Sequence, residues 1–292
     1  MATDGMWRLR IRDVNMTAPQ TIGELENRLF AAFPREDAES WDQPGLAVGD
    51  RTRRIGKIAV ALDMSVANVI AASEAGCNVL VTHHPPYIKT GPNEFGPESQ
   101  AVTPGPGRMV YEAIERDVAT IAMHTNADRA IATRERFAAI MGCSCLGNCE
   151  TILDPRRCVQ DKGFGALLVP DWDTNPTLGV IAELVARNFD CHPRVWGDPE
   201  RQINRIAFLN GSWSDSELYE RCVVAGIDCM IVGETRYHLC VDAQPYLSVI
   251  ELGHDCSELP IVDVLIDALL ACGIVRDDIV DLRGSHRNWW TA

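Results

Sequence analysis

Two stretches of this 292-residue chain repeat one pattern, and that pattern demands a strand, a helix and a second strand. Residues 58–84 read IAVALDMSVANVIAASEAGCNVLVTHH, and residues 206–234 read IAFLNGSWSDSELYERCVVAGIDCMIVGE. Each opens Ile-Ala, runs to Leu-Asp63 or Leu-Asn210, passes through a helical stretch ending Ala-Gly, and re-enters an apolar run at Asn78 or Asp228. Gly76 and His83 are seven apart, as are Gly226 and Gly233. Connections this short join parallel strands only through a helix, so both stretches read as βαβ units. The expected fold is therefore α/β: two related lobes, each a mostly parallel sheet flanked by helices. The first lobe takes 1–141 with 250–292, and the second takes 142–249. A chance likeness between two βαβ units is the alternative. On either view the loops leaving the carboxyl ends of the strands form the functional face.

Local signals fill in the rest. Thr21-Ile-Gly-Glu24 is a capping box that opens a helix carrying Ile22, Leu25, Leu29 and Phe30 at helical spacing. Trp41-Asp-Gln-Pro-Gly-Leu46 reads as a turn. Strands are expected over 55–62, 77–82 and 120–123, with helices over 67–75 and 111–116. Residues 85–107 hold six prolines and four glycines without period, and read as a surface loop able to act as a lid. Past a composition break at 142–162, strands are expected over 163–169, 203–209, 227–232 and 247–252. Helices are expected over 178–188, 216–224 and 261–270, before a polar tail with Trp289 and Trp290.

Composition narrows the function classes. A chain with 46% hydrophobic and 23% charged residues is an ordinary globular one, and its net charge of −14 argues against general nucleic-acid binding. No run approaches the roughly 18 apolar residues of a membrane span, and 1–15 lacks the apolar core of a signal peptide, so no membrane partner and a cytoplasmic location are expected. Eleven cysteines then read as reduced thiols. Cys77, Cys222, Cys229, Cys240 and Cys272 fall in apolar periodic segments. Cys143, Cys145 and Cys149, with Cys158 nearby, lack the paired spacing of thiolate metal sites.

The histidines carry the chemistry. Three segments share one grammar, an apolar strand, then histidine, then a carboxylate: His83-His84 after 79–82, His124 with Asp128, and His254 with Glu258. Five of the seven histidines lie in these segments or, as His238, just after Glu234. A spacing of four puts His254 and Glu258 on one helix face if a helix starts there. His83, His84, Asp128, His254 and Glu258 together offer three imidazoles and two carboxylates. That is too many for one open zinc site and suits two carboxylate-bridged ions of Zn, Mn, Fe or Co rather than Ca or Mg.

Five ordered segments carry a resemblance: Trp41-Asp-Gln-Pro-Gly-Leu46, Thr82-His-His-Pro85, His124-Thr-Asn-Ala-Asp128, Gly233-Glu-Thr-Arg-Tyr-His238 and Gly253-His-Asp-Cys-Ser-Glu258. Over nearly its whole length the chain resembles the dinuclear-metal family named for the NGG-interacting factor, also labelled GTP cyclohydrolase type 2-like proteins. The resemblance implies a metal pair in the cleft between two α/β lobes and a toroidal homohexamer. By motif position it makes His83, His84, Asp128, His254 and Glu258 the metal ligands, with His124 beside them as a supporting residue or proton carrier. The large domain that some members insert between the lobes is absent. The chain departs from the family's pattern at Gln43, at Glu234, at Asp255-Cys256 and in its Asn210-Gly-Ser-Trp213 turn. Glu234 and Asp255 add acid, which disfavours a triphosphate unless Lys89, Arg129 or Arg236 offsets it.

Two functions follow as expectations. One is a metal-dependent hydrolase acting on a small molecule, a cyclic C–N heterocycle or nucleotide-like compound, through a metal-bridged hydroxide, with His124, Glu234 or His238 moving protons. The other is a non-catalytic metal carrier or regulatory, partner-binding protein. A purely structural metal is the weaker option, since such sites are closed and thiolate-rich.

Overall fold

The structure is a computed structural model that describes residues 17–88, 95–96, 106–154, 161–172 and 175–284. Most of the expected lid over 85–107 lies outside the described residues, as do Lys89, Cys158 and the Trp289–Trp290 tail. The chain divides into two compact units, 1–127 with 262–292 and 128–261.

The first unit begins with α1 (Ile22–Ala32), and both bonds of its capping box form, Glu24 N–H to Thr21 Oγ1 at 3.3 Å and Thr21 N–H to Glu24 Oε2 at 3.2 Å. There follow β1 (Gly45–Val48), β2 (Lys57–Ala61), α2 (Val66–Glu74), β3 (Cys77–Thr82), α3 (Pro106–Glu115), β4 (Ala119–Ala122) and the single turn α4 (Thr125–Asp128). Strand β1 lies where only a turn was expected, and it pairs antiparallel with β4 at the sheet edge. The second unit holds α5 (Ile131–Met141), β5 (Cys143–Gly147), α6 (Glu150–Leu153), β6 (Ala166–Pro170), α7 (Leu178–Asn188) and β7 (Arg194–Trp196). It continues with β8 (Ile206–Ser212), α8 (Ser216–Val224), β9 (Cys229–Glu234), α9 (Tyr237–Ala243), β10 (Ser248–Glu251) and the start of α10 (His254–Ala271). The chain then returns to the first unit, where β11 (Ile279–Asp281) completes the sheet.

The sheets run β1-β4-β3-β2-β11 and β5-β6-β8-β9-β10-β7. In the first, β11, β2, β3 and β4 are parallel, and their inward residues Ala59, Ala61, Leu80 and Ala122 pack with Val69, Ala72 and Met109. In the second, only the central β8, β9 and β10 run parallel, while β5, β6 and β7 are antiparallel additions that apolar periodicity alone did not orient. The expected parallel character holds at the centre of each sheet, which is where the repeated segments lie.

Both copies of the repeat fold as read. Ser65 caps α2 and Asp215 caps α8 through side-chain oxygens. Gly76 and Gly226 end those helices at φ +74° and +69°, the left-handed geometry that ends helices at little cost only in glycine. Even the polar residue two further on does one job. Asn78 Oδ1 accepts the Gly56 amide at 2.7 Å, and Asp228 Oδ2 accepts the Asn204 and Arg205 amides at 2.9 and 3.0 Å.

Candidate metal centre

Strand register assembles the histidines of the first unit. Thr82 pairs with Ala61 on one side and Ala122 on the other, so the residues just past all three strand ends become neighbours. His83, fully buried, brings Nδ1 within 3.0 Å of the Met123 carbonyl. His84 brings Nδ1 within 2.7 Å of Asp63 Oδ1, and His124 brings Nδ1 within 2.8 Å of Asp42 Oδ1. The three rings stand 5.0, 5.1 and 5.6 Å apart, and each offers a ligand atom within 4.8 Å of the others. Carbonyl and carboxylate oxygens can only accept, so each Nδ1 carries the hydrogen and each Nε2 is left as the donor atom for a metal.

Asp42 does more than hold one ring. Its carboxylate also accepts the backbone amide and the hydroxyl of Thr125, the first residue of α4. Burial by itself would raise this carboxyl, but the bonds and charge of His124 and the two bonds from Thr125 outweigh it and hold its pKa down at about 2. Trp41 stands edge-on to His124 with ring centres 6.0 Å apart.

The second unit supplies carboxylates. Helix α10 begins at His254, and His254 Nε2 lies 3.1 Å from Glu258 Oε2 one turn on, as the spacing of four required. His254 Nδ1 lies 2.8 Å from Glu234 Oε1, the same arrangement as in the first unit. Asp128 and Glu258 are both buried, and the Asn210 amide donates to both, at 2.6 Å to Asp128 and 3.3 Å to Glu258. Two like charges out of water are costly, and a divalent cation suits such a donor set.

The expected Asn210-Gly-Ser-Trp213 turn is instead an irregular stretch of β8, where the ladder with β9 slips between Leu209 and Ser212. Trp213 braces it by donating to the Asn210 carbonyl at 2.6 Å. Glycine is required here: a Cβ on Gly211, at φ +74°, would sit 2.6 Å from Glu258 Oε1. A Cβ on Gly233 would sit 2.4 Å from the Gly211 carbonyl oxygen.

The expected site residues thus separate by environment. His83, His84 and His124 cluster in the first unit, and Asp128, His254, Glu258 and Glu234 are linked in the second. His238 is exposed on α9 and belongs to no candidate ligand group among the described residues. Arg129 is tied to Glu150 at 3.1 Å and lies over the Phe164 ring, which withdraws it from phosphate binding; Arg236 is exposed. Asp63 and Asp42 were not singled out from the sequence as support for histidines. Asp63 closes β2 at the place that Asn210 takes in the other copy of the repeat, and that was the available signal. The ten described cysteines are free thiols, and burial pushes Cys222 up to about 12 and Cys143 to about 11, away from thiolate chemistry.

Comparison with known proteins places this chain in a family. The model of Duf34/NIF3 (NGG1p interacting factor 3) matches residues 20–274. The chain belongs to that family. A GTP cyclohydrolase 1 type 2 homolog of Streptomyces coelicolor is 30% identical over 248 residues, covering 82% of each chain. A protein of the same name from Clostridium acetobutylicum is 28% identical, covering 84% of this chain and 87% of that one. In fold, a hypothetical protein of Staphylococcus aureus superposes with a TM-score of 0.79 at 22% identity, over 94% of this chain and all (100%) of the other. No helix among the described residues of this Duf34/NIF3 member is long and apolar enough to cross a membrane.

Proposed function

We propose that this Duf34/NIF3 protein is a metal-dependent hydrolase of a small cyclic C–N compound, holding two divalent transition-metal ions through His83, His84, Asp128, His254 and Glu258. One observation carries the metal reading. All four strand-end histidines have Nδ1 against an oxygen acceptor, the arrangement that prepares Nε2 to ligate. Two buried carboxylates joined by a single amide supply the anionic part of the set.

Ions held by these residues would polarise the bond under attack and lower the pKa of water. The chain's own groups do the rest. Asp128 and Glu258 fix the charge of the site, and Asn210 holds their spacing. His124, steadied by Asp42, takes up and returns a proton at Nε2. The substrate class rests on the name that the two curated relatives carry, and a homohexameric assembly belongs to the same reading.

The test is to incubate metal-loaded protein with a broad metabolite extract and follow losses by mass spectrometry, with Asp128→Ala as control. Wild type should hold two ions per chain and deplete a heterocycle that the variant, with fewer ions, leaves intact. Identical profiles across nucleotides, pterins and small heterocycles would sink the hydrolase. The family's description names an interacting factor, which favours a non-catalytic metal-carrying or partner-binding role as the second reading. Full metal loading without any turnover would select it.

A further inference from the structure

We infer that Asp42, Asp63 and Glu234 are positioning residues of the metal centre: each locks one histidine with hydrogen on Nδ1, leaving Nε2 to ligate at His84 and His254 and to carry a proton at His124. The inference rests on the metal reading above and assigns Glu234 a different task from proton transfer. Three observations support it. Each carboxylate oxygen stands 2.7–2.8 Å from an Nδ1, at His84, His124 and His254. The three come from different places in the chain, one at the end of β2, one before β1 and one at the end of β9, so no single local motif produces the pattern. The repeat also puts Glu234 where the first copy has His84. One strand-end position thus holds the imidazole in one unit and the carboxylate supporting an imidazole in the other.

A neutral imidazole has two tautomers, and only the one with Nε2 bare can ligate through that atom. An acidic acceptor on Nδ1 selects that tautomer, fixes the ring plane and makes Nε2 a stronger donor. The three carboxylates differ in setting. Asp42 is buried and is held by Thr125 as well, while the side chains of Asp63 and Glu234 are 43% and 52% exposed. Loss of either exposed carboxylate can therefore be read without disturbing a core.

The experiment is cobalt(II) titration of the full-length, metal-stripped protein, following visible absorption and competition with a chelator. Asp63→Asn and Glu234→Gln should each weaken Co²⁺ binding roughly 10- to 100-fold and shift the absorption bands. The thermal midpoint of the metal-free protein should stay where it is. Glu74→Gln, which removes an exposed charge at the end of α2, should leave affinity and spectrum as in wild type. Asp42→Asn, which acts through the proton-carrying His124, should change Co²⁺ affinity and spectrum less than either Asp63→Asn or Glu234→Gln. If wild type takes up no Co²⁺, the metal reading itself fails. If wild type binds and both Asp63→Asn and Glu234→Gln match it in affinity and spectrum, the metal reading stands and the positioning role is overturned. Losses equal to that of Glu74→Gln would overturn it too, because they would reflect net charge alone.

Discussion

The two units solve one problem from the same backbone with different chemistry. In each, three consecutive parallel strands, β2-β3-β4 or β8-β9-β10, deliver a histidine just past the third strand; in the sequence a carboxylate follows each histidine four residues later, and both carboxylates, Asp128 and Glu258, fall in the second unit. His124 with Asp128 and His254 with Glu258 are therefore equivalent pairs. The middle strand differs: β3 ends in His83-His84 and β9 in Gly233-Glu234. The first unit collects imidazoles and keeps its acids behind them, whereas the second brings carboxylates forward. Strand register sets where the donors stand, and substitution at a few strand-end positions sets what they are.

The sharpest test of that equivalence is His124→Ala against His254→Ala. If His124 carries protons while His254 ligates, the first variant keeps both metals and loses turnover roughly 10²- to 10⁴-fold. The second should lose metal outright. Metal analysis of the two purified variants decides it. Equal metal loss would make the two histidines equivalent ligands and leave the proton to another group.

Next comes Gly233→Ala. At the matching position the first unit accommodates the whole side chain of His83, but at Gly233 a single methyl would meet the Gly211 backbone oxygen at 2.4 Å and Ser257 Oγ at 2.5 Å. We expect a cost of about 3 kcal/mol in urea unfolding. A cost below about 1 kcal/mol would mean that β8 moves aside easily, and that close strand approach is not what excludes a histidine here.

How much of this was legible follows from sequence distance. The repeat, the capping box at Thr21, the glycine helix ends and the His254–Glu258 pairing all depend on residues within a few positions of each other, where periodicity speaks directly. The antiparallel edges β1, β5 and β7 were not foreseen, because an apolar run does not say in which direction it will pair. Asp63 meets His84 across 21 positions and Asp42 meets His124 across 82, through contacts that only strand register creates. From the sequence Glu234 is an acid with the look of a proton carrier, since nothing local ties it to His254 20 positions on. Asn210 looked like a departure from a glycine-rich turn, yet its amide holds two carboxylates at once.

Acid separates the units more gently. Asp42 has its pKa depressed from 3.8 to about 2, so the stability it lends the first unit is complete above about pH 4. As the pH falls through 2 that contribution disappears. The shift corresponds to about 2 kcal/mol. Metal-free wild type should exceed Asp42→Asn by about that amount in urea unfolding at pH 5, with the gap closing by pH 2. A gap that persists at pH 2 would assign the effect to the lost hydrogen-bond geometry with Thr125 rather than to the charge.

The smallest effect bears most directly on whether the copies are true equivalents. Gly76 and Gly226 each follow an alanine C-cap, and their amides donate to Ser73 and Val223 carbonyls at the same 3.0 Å. A Cβ on Gly76 would meet nothing within 4 Å, and one on Gly226 would meet only Arg205 Nη1 at 3.6 Å, ordinary contact. Steric crowding is thus removed as a variable, and what remains is the cost of holding an L-residue in left-handed geometry, about 1 kcal/mol. Gly76→Ala and Gly226→Ala should lower stability equally, each in the unfolding of its own unit. A difference of twofold or more would show that the helix ends carry different strain, and that the likeness between 58–84 and 206–234 stops at the sequence pattern. Equal costs would leave the strand-end side chains as the place where the two copies diverged.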